Sequence, residues 1–282
     1  MRLFILGLGY SARHFVRKFG GAFSHVAGTV RDPGERNDLP DIEVHAFSAS
    51  RPVDATVERI SDADVLLVSI PPGSDGDPAI AAFGDVLAER QRKIVYLSTI
   101  GVYGDHAGRW VDESTLPQAA FERTRLRLAA EQAWTNSGYG NVAILRLAGI
   151  YGPGRNALVT LRAGTARRII KPGQVFNRIH VEDIASAIMA AIQHGHGGTW
   201  NVCDDEPTPP QDVIAYAAQL MGVAPPPEEA FETAEMSVMA RSFYASSARV
   251  SNAKMKRELG VTLAYPTYRQ ALDALWRAGE GR

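Results

Sequence analysis

Short apolar runs alternate with longer segments of helical period along most of this chain, the pattern of βα repeats and a parallel sheet. Arg2–Leu6 reads as a first strand, followed by a glycine-rich turn and a helix through about Phe19. His25–Val30, Ile42–Phe47, Asp64–Ile70, Lys93–Ser98 and Asn141–Leu147 read as further strands. Between them Pro78–Arg90 reads as an amphipathic helix, and Leu116–Ser137 as a long helix rich in Arg, Leu and Ala. After Tyr151-Gly152-Pro153-Gly154 the character changes to helical pieces and turns. Val181–Gln193, Gln211–Met221 and Asn252–Leu259 are the helices predicted there, with proline-rich connectors at Pro207–Pro210 and Pro225–Pro227.

The turn after the first strand, Gly7-Leu8-Gly9-Tyr10-Ser11-Ala12, fits G-x-G-x-x-G/A. A lone match is weak, but this one follows an apolar strand and opens a helix, as dinucleotide binding requires. The first glycine allows the tight turn and the second lets backbone approach a pyrophosphate. The small third residue permits close helix–strand packing, and the helix N-terminus supplies donors. The expected fold class is therefore α/β: a Rossmann doubly wound parallel sheet with a smaller, mostly helical C-terminal substrate domain. Residues 1–153 are expected to form the dinucleotide-binding domain and 154–282 mainly the substrate domain, with segments around 175–203 returning to the first. Gly7, Gly9, Tyr10 and Ala12 belong to the expected cofactor loop, with Arg13, Ser69 and Ser98 nearby. The second strand ends Gly28-Thr29-Val30-Arg31-Asp32. An acidic residue at that tip favours NAD, whereas an Arg can pair with the 2′-phosphate of NADP. Arg31 comes first, which favours NADP(H), and the adjacent Asp32 keeps NAD open.

Composition narrows the partners. The chain has 282 residues, 45% of them hydrophobic, and a formal net charge of −1. Nothing in that charge, and no interleaving of aromatic and basic residues, points to nucleic acid. Cys203 is the single cysteine, so no internal disulfide forms. The apolar start Leu3–Leu6 breaks at Gly7, too early for a signal peptide. No run approaches the ~20 apolar residues that span a bilayer. The expected setting is the cytoplasm, with a small-molecule substrate and no membrane partner; a homodimer is compatible with it. His194-Gly195-His196 lacks further ligands at metal spacing and reads as a loop, so no metal is expected.

Three further segments carry a resemblance. Ser98-Thr99-Ile100-Gly101-Val102-Tyr103-Gly104, Arg146-Leu147-Ala148-Gly149-Ile150-Tyr151-Gly152-Pro153-Gly154 and Ile179-His180-Val181-Glu182-Asp183 occur in order, followed by Trp200-Asn201-Val202. Together with the glycine loop they resemble the extended short-chain dehydrogenase/reductase family, also described as the NAD-dependent epimerase/dehydratase family, over nearly the whole chain. The Gly-x-Gly-Tyr-x-x-Arg opening is similar to an atypical subgroup. The resemblance implies a Ser or Thr that orients a substrate hydroxyl, which is Thr99 here. It also implies a Tyr acid/base with a Lys four residues later that holds the nicotinamide ribose. Matching Leu128-Ala129-Ala130-Glu131 to the run after that Lys puts Arg123 at the Tyr position and Arg127 at the Lys position. None of the nine tyrosines has a Lys four residues on.

Arg123 cannot act as a general base, because guanidinium stays protonated in proteins. Arg127 can keep the ribose contact, although its planar fork differs from a point ammonium. Tyr103 is expected to wall the substrate, and His106 sits on a loop near the expected cleft with a suitable titration range. His180 is expected to anchor the domain junction, with Asp183 at a helix start beside it. The resemblance places an Arg for a substrate diphosphate four residues before His180; Phe176 stands there, and Arg178 is the nearest Arg. Arg162, Arg167, Arg168 and Lys171 either serve an anionic substrate or pair with Glu228, Glu229 and Glu232. Two functions are therefore expected as rivals. One is a reductase, epimerase or dehydratase acting on a small anionic or nucleotide-sugar-like substrate. The other is a non-catalytic NADP(H)-binding sensor or scaffold.

Overall fold

The computed structural model describes residues 1–32, 42–47 and 54–282. Its centre is a seven-stranded sheet of β1 (Arg2–Leu6), β2 (His25–Val30), β3 (Glu43–Ala46), β4 (Val65–Val68), β5 (Arg92–Thr99), β6 (Gly140–Leu147) and β7 (Gly198–Val202). The spatial order is β7-β6-β5-β4-β1-β2-β3 and every pairing is parallel. Strands buried on both faces need apolar side chains in both directions, and β1 supplies them: Leu3 and Ile5 enter one core, Phe4 and Leu6 the other. The first core is covered by α1 (Tyr10–Phe19), and Phe15 of that helix is fully buried in it. The second is covered by α2 (Asp54–Asp62), α3 (Pro78–Ala88) and α4 (Glu122–Asn136) through Ile60, Phe83 and Trp134. Strand order reverses between β1 and β4, which opens a crevice at the carboxyl ends of these two strands.

The long helix expected from Leu116 begins only at Glu122. Pro117 explains the shift, because it holds Leu116 extended and brings no N–H of its own. Gln118 N–H then bonds Val102 and Tyr103 carbonyls, tying this stretch to the turn after β5. Thr124 closes the helix start, its Oγ1 donating to Phe121 O at 2.8 Å and lying 3.2 Å from Phe121 N.

After β6 the chain builds a second lobe from α5 (Ala157–Arg162), α7 (Pro210–Met221) and α10 (Tyr268–Arg277), packed on Leu158, Ala217, Leu272 and Leu275. Between them α6 (Val181–His194) covers the first core with α9 (Ala253–Leu259) and leads into β7 at the sheet edge. Gly149–Tyr151 and Arg178–His180 form a parallel two-stranded ladder at the junction. His180 is 2% exposed, accepts the Glu182 N–H through Nδ1 and lies between the Tyr151 and Tyr265 rings. Asp183 bonds the Ala264 and Tyr265 N–H groups, pinning the C-terminal segment to α6.

Asp204 sits just beyond β7, 2% exposed, and burial pushes its carboxyl up to about 8. The native state therefore keeps a proton that the unfolded chain loses near pH 4, and stability falls as pH rises between those values. Asp204→Asn removes the dependence. Its advantage in urea unfolding is expected to grow between pH 5 and pH 8.5, bounded by about 1.4 kcal/mol per pH unit. A pH-independent difference between variant and wild type contradicts this assignment.

Candidate functional site

The crevice is a cleft of about 880 Å³ lined by residues 7–9, 29–32 and 69–76, with Phe47, Pro78 and Ala81. Four residues proposed from sequence, Gly7, Gly9, Arg31 and Ser69, line it. The loop after β1 is held by β2: Thr29 Oγ1 accepts Gly7 N–H at 2.9 Å, and Thr29 O accepts Leu8 N–H at 2.8 Å. Thr29 was not singled out from sequence, and only its place at the strand tip hints at the role. Arg13 Nε donates to Leu8 O at 3.0 Å, a further tie on the same loop. Ala12 is fully buried, which lets α1 pack closely on the sheet.

The two loop glycines differ. Gly7 has φ +97°, and a Cβ there would lie 2.7 Å from Ile70 Cγ2. Gly9 has φ −82°, and a Cβ there would meet nothing within 4 Å, because that side faces the open crevice. Gly9 caps α1 without a side-chain acceptor, and the first turn of that helix holds no acidic residue. An N-terminus in this state presents free N–H groups and a positive dipole end, so the loop fits a pyrophosphate. Tyr10 Oη donates to Pro153 O at 3.0 Å, which links this loop to the start of the second lobe. Burial pushes that phenol up to about 12.

At the carboxyl end of β5, Thr99 is half-buried and its Oγ1 accepts Gly101 N–H at 3.1 Å. The acceptance leaves the Thr99 O–H to donate elsewhere. Arg127 reaches this strand end from α4: Nη1 donates to Tyr96 Oη at 3.0 Å and to Leu97 O at 3.1 Å. Arg123 turns instead to α8 (Val238–Phe243), donating to Ser242 Oγ at 2.8 Å. Its guanidinium lies 4.9 Å from the centres of both the Phe121 and Phe243 rings. Glu131, one turn after Arg127, is buried in a pair with Arg146, Nη2 to Oε2 at 2.7 Å. The spacing of four thus places three charges on successive turns, but each goes to a different partner.

Other sequence candidates are placed away from the crevice. Ser98 is 5% exposed and donates to Glu131 Oε1 at 2.5 Å, so its hydroxyl serves the buried pair. Tyr103 is fully buried beneath the Arg146 guanidinium and donates to Asn201 Oδ1 at 2.9 Å. It therefore cannot wall a substrate, because no edge of its ring reaches solvent. His106 is buried, its Nε2 3.1 Å from Tyr103 O, which closes the acid/base role considered for it. Arg178 donates to the Phe176 and Thr208 carbonyls and serves the lobe junction. The basic run resolves into pairs: Arg167 with Glu229, Arg168 with Glu228, and Lys171 on the Tyr244 carbonyl. His194 and His196 pack against each other, and His194 against Trp200.

No described helix is long and apolar enough to cross a membrane. Comparison with known proteins agrees with the architecture. The structure of a functionally unknown conserved protein from Silicibacter pomeroyi DSS is 45% identical, covers 99% of both chains and superposes with a TM-score of 0.92. Human epimerase family protein SDR39U1, solved with NADPH, shares the fold at 15% identity, covers 98% of this chain and 99% of its own, and has a TM-score of 0.75. Protein YeeZ of Escherichia coli K12 is 32% identical over 182 residues, 60% of this chain and 64% of YeeZ. The match thus spans less than two thirds of that relative's length. Residues 82–203 match the NAD dependent epimerase/dehydratase family. The parallel seven-stranded sheet with the glycine loop at its switch point is thus a fold shared with solved epimerase-family proteins, and the central part of the chain is similar to the NAD dependent epimerase/dehydratase family.

Proposed function

We propose that the crevice binds NADP(H) and that the protein is a reductase-, epimerase- or dehydratase-like enzyme acting on a small molecule held between α4 and α8. The observation that carries the reading is the empty space in front of Gly9, at an uncapped helix N-terminus that opens on the 880 Å³ cleft. Gly7, Gly9 and the first turn of α1 would hold the pyrophosphate; Ser69 would line its path, and Arg31 with Arg13 would face the 2′-phosphate. Solved structures of the same fold hold NADPH or NAD, which supports a nicotinamide cofactor, and Arg31 carries the choice of NADP(H). A bound nicotinamide supplies hydride chemistry.

The chain's own residues then have limited tasks. Thr99 donates its free O–H to the reacting oxygen, and the remaining N–H groups of Arg127 hold the nicotinamide ribose. Neither Arg123 nor Arg127 moves a proton. The proton is therefore supplied by water or by a group outside these two arginines. One feature favours the rival reading of a non-catalytic NADP(H) sensor or scaffold: the positions to which the resemblance assigns the Tyr and Lys hold Arg123 and Arg127. Hydride transfer from bound NADPH separates the two readings.

Cofactor choice has its own test. Wild-type protein is expected to bind NADPH more tightly than NADH, and Arg31→Ala to erase the difference. The loss corresponds to one charge-assisted contact, about 1.5–3 kcal/mol. Equal calorimetric affinities in the wild type would remove Arg31 from the site.

A further inference from the structure

Most cations on the substrate side of the cleft are committed to protein partners. Arg167 and Arg168 are spent on Glu229 and Glu228, and Phe176 packs its ring on Tyr244 at 5.1 Å. Arg123 is different. It is exposed, sits in the first turn of α4, and among the described residues no carboxylate lies within ion-pair distance of it. Its neighbour Thr124 faces Gly101, two residues from Thr99, so the head of α4 adjoins the turn after β5. Phe121 and Phe243 take the two rings near its plane, and Ser242 takes one N–H. A guanidinium held this way keeps edge N–H groups free to grip two oxygens of one anion.

The surroundings of Arg123 are apolar. Helix α8 leaves Val238 89%, Met239 64% and Phe243 54% exposed. Such side chains gather in solvent at a cost unless something covers them. We infer that the head of α4 and α8 bind a small aromatic carboxylate, with its carboxylate on the edge of Arg123 and its ring against Phe243 and Met239. A nucleoside diphosphate is disfavoured, because the side chains around Arg123 are apolar and the neighbouring Lys171 and Arg241 are already turned to backbone carbonyls. The inference deepens the proposed function by naming the substrate class and rests on that reading only for the position of the hydride.

Cinnamate is the probe, titrated calorimetrically into the protein with and without NADP⁺, beside UDP-glucose. Saturable binding of cinnamate is expected, tighter than that of UDP-glucose. Arg123→Met is expected to weaken it at least about tenfold, the scale of a lost bidentate ion contact. Phe243→Ser is expected to weaken it severalfold, with the unfolding transition of both variants unchanged because both side chains are exposed. Absence of cinnamate binding, equal binding by Arg123→Met, or tighter binding of UDP-glucose overturns the inference. Cinnamate binding that needs Arg123 in a protein that does not bind NADP⁺ would uphold the site and overturn the cofactor reading instead.

Discussion

Gly9→Val is expected to abolish NADPH binding and leave the protein folded. The backbone at Gly9 has φ −82° and ψ −168°, a conformation that valine adopts readily. A Cβ there touches no protein atom within 4 Å, so the folded state loses no packing and gains no clash. The branched side chain instead fills the approach to the N–H groups of α1, where a pyrophosphate would have to lie. Gly7 provides the contrast. Any side chain there is strained at φ +97° and meets Ile70 Cγ2 at 2.7 Å, so Gly7→Ala is expected to lose stability as well as binding. Calorimetric titration with NADPH and thermal unfolding separate the two effects. Near-wild-type affinity in Gly9→Val would move the dinucleotide elsewhere.

The largest loss of stability is expected from Glu131→Ala. Glu131 is 4% exposed and Arg146 7% exposed, and the pair is closed by contacts of 2.7–3.2 Å. Removing the carboxylate leaves a buried guanidinium without its counter-charge and takes the acceptor from Ser98. Breaking a buried pair from one side costs about 3–5 kcal/mol. Adding Arg146→Met is expected to restore part of that, because the penalty comes mainly from the stranded charge. Urea unfolding of the two variants measures both numbers. If Glu131→Ala shifts stability by less than about 1 kcal/mol, the pair is not the anchor of α4 on the sheet.

The β1–α1 unit was legible because local rules agree there: an apolar strand, a glycine turn and a helix with buried Ala12 and Phe15. Six strands follow from their apolar runs, two with the expected bounds and four with ends shifted by one or two residues. Of residues 198–202 only Trp200-Asn201-Val202 stood out, as a family marker, since Gly198-Thr199-Trp200-Asn201-Val202 carries no continuous apolar run. Its membership of the sheet is set by pairing with β6. Helix α10 was missed, although Tyr268, Ala271, Leu272 and Leu275 show helical spacing. The site was less legible than the fold. The i, i+4, i+8 positions of Arg123, Arg127 and Glu131 are local, whereas their partners Ser242, Tyr96 and Arg146 come from distant parts of the chain. Periodicity gave the stripe without its destinations. The basic run illustrates the same limit, because only the pairing of 168–170 with 228–230 shows that its charges are already matched.

The most direct measurement on the dinucleotide site is hydrogen exchange of the wild-type protein with and without saturating NADPH. Binding at an uncapped helix N-terminus buries specific amides, so protection is expected across Gly7–Arg13 and Ser69–Gly76. The far ends of the sheet strands should exchange unchanged. Saturable NADPH binding that leaves Gly7–Arg13 unprotected would contradict the account.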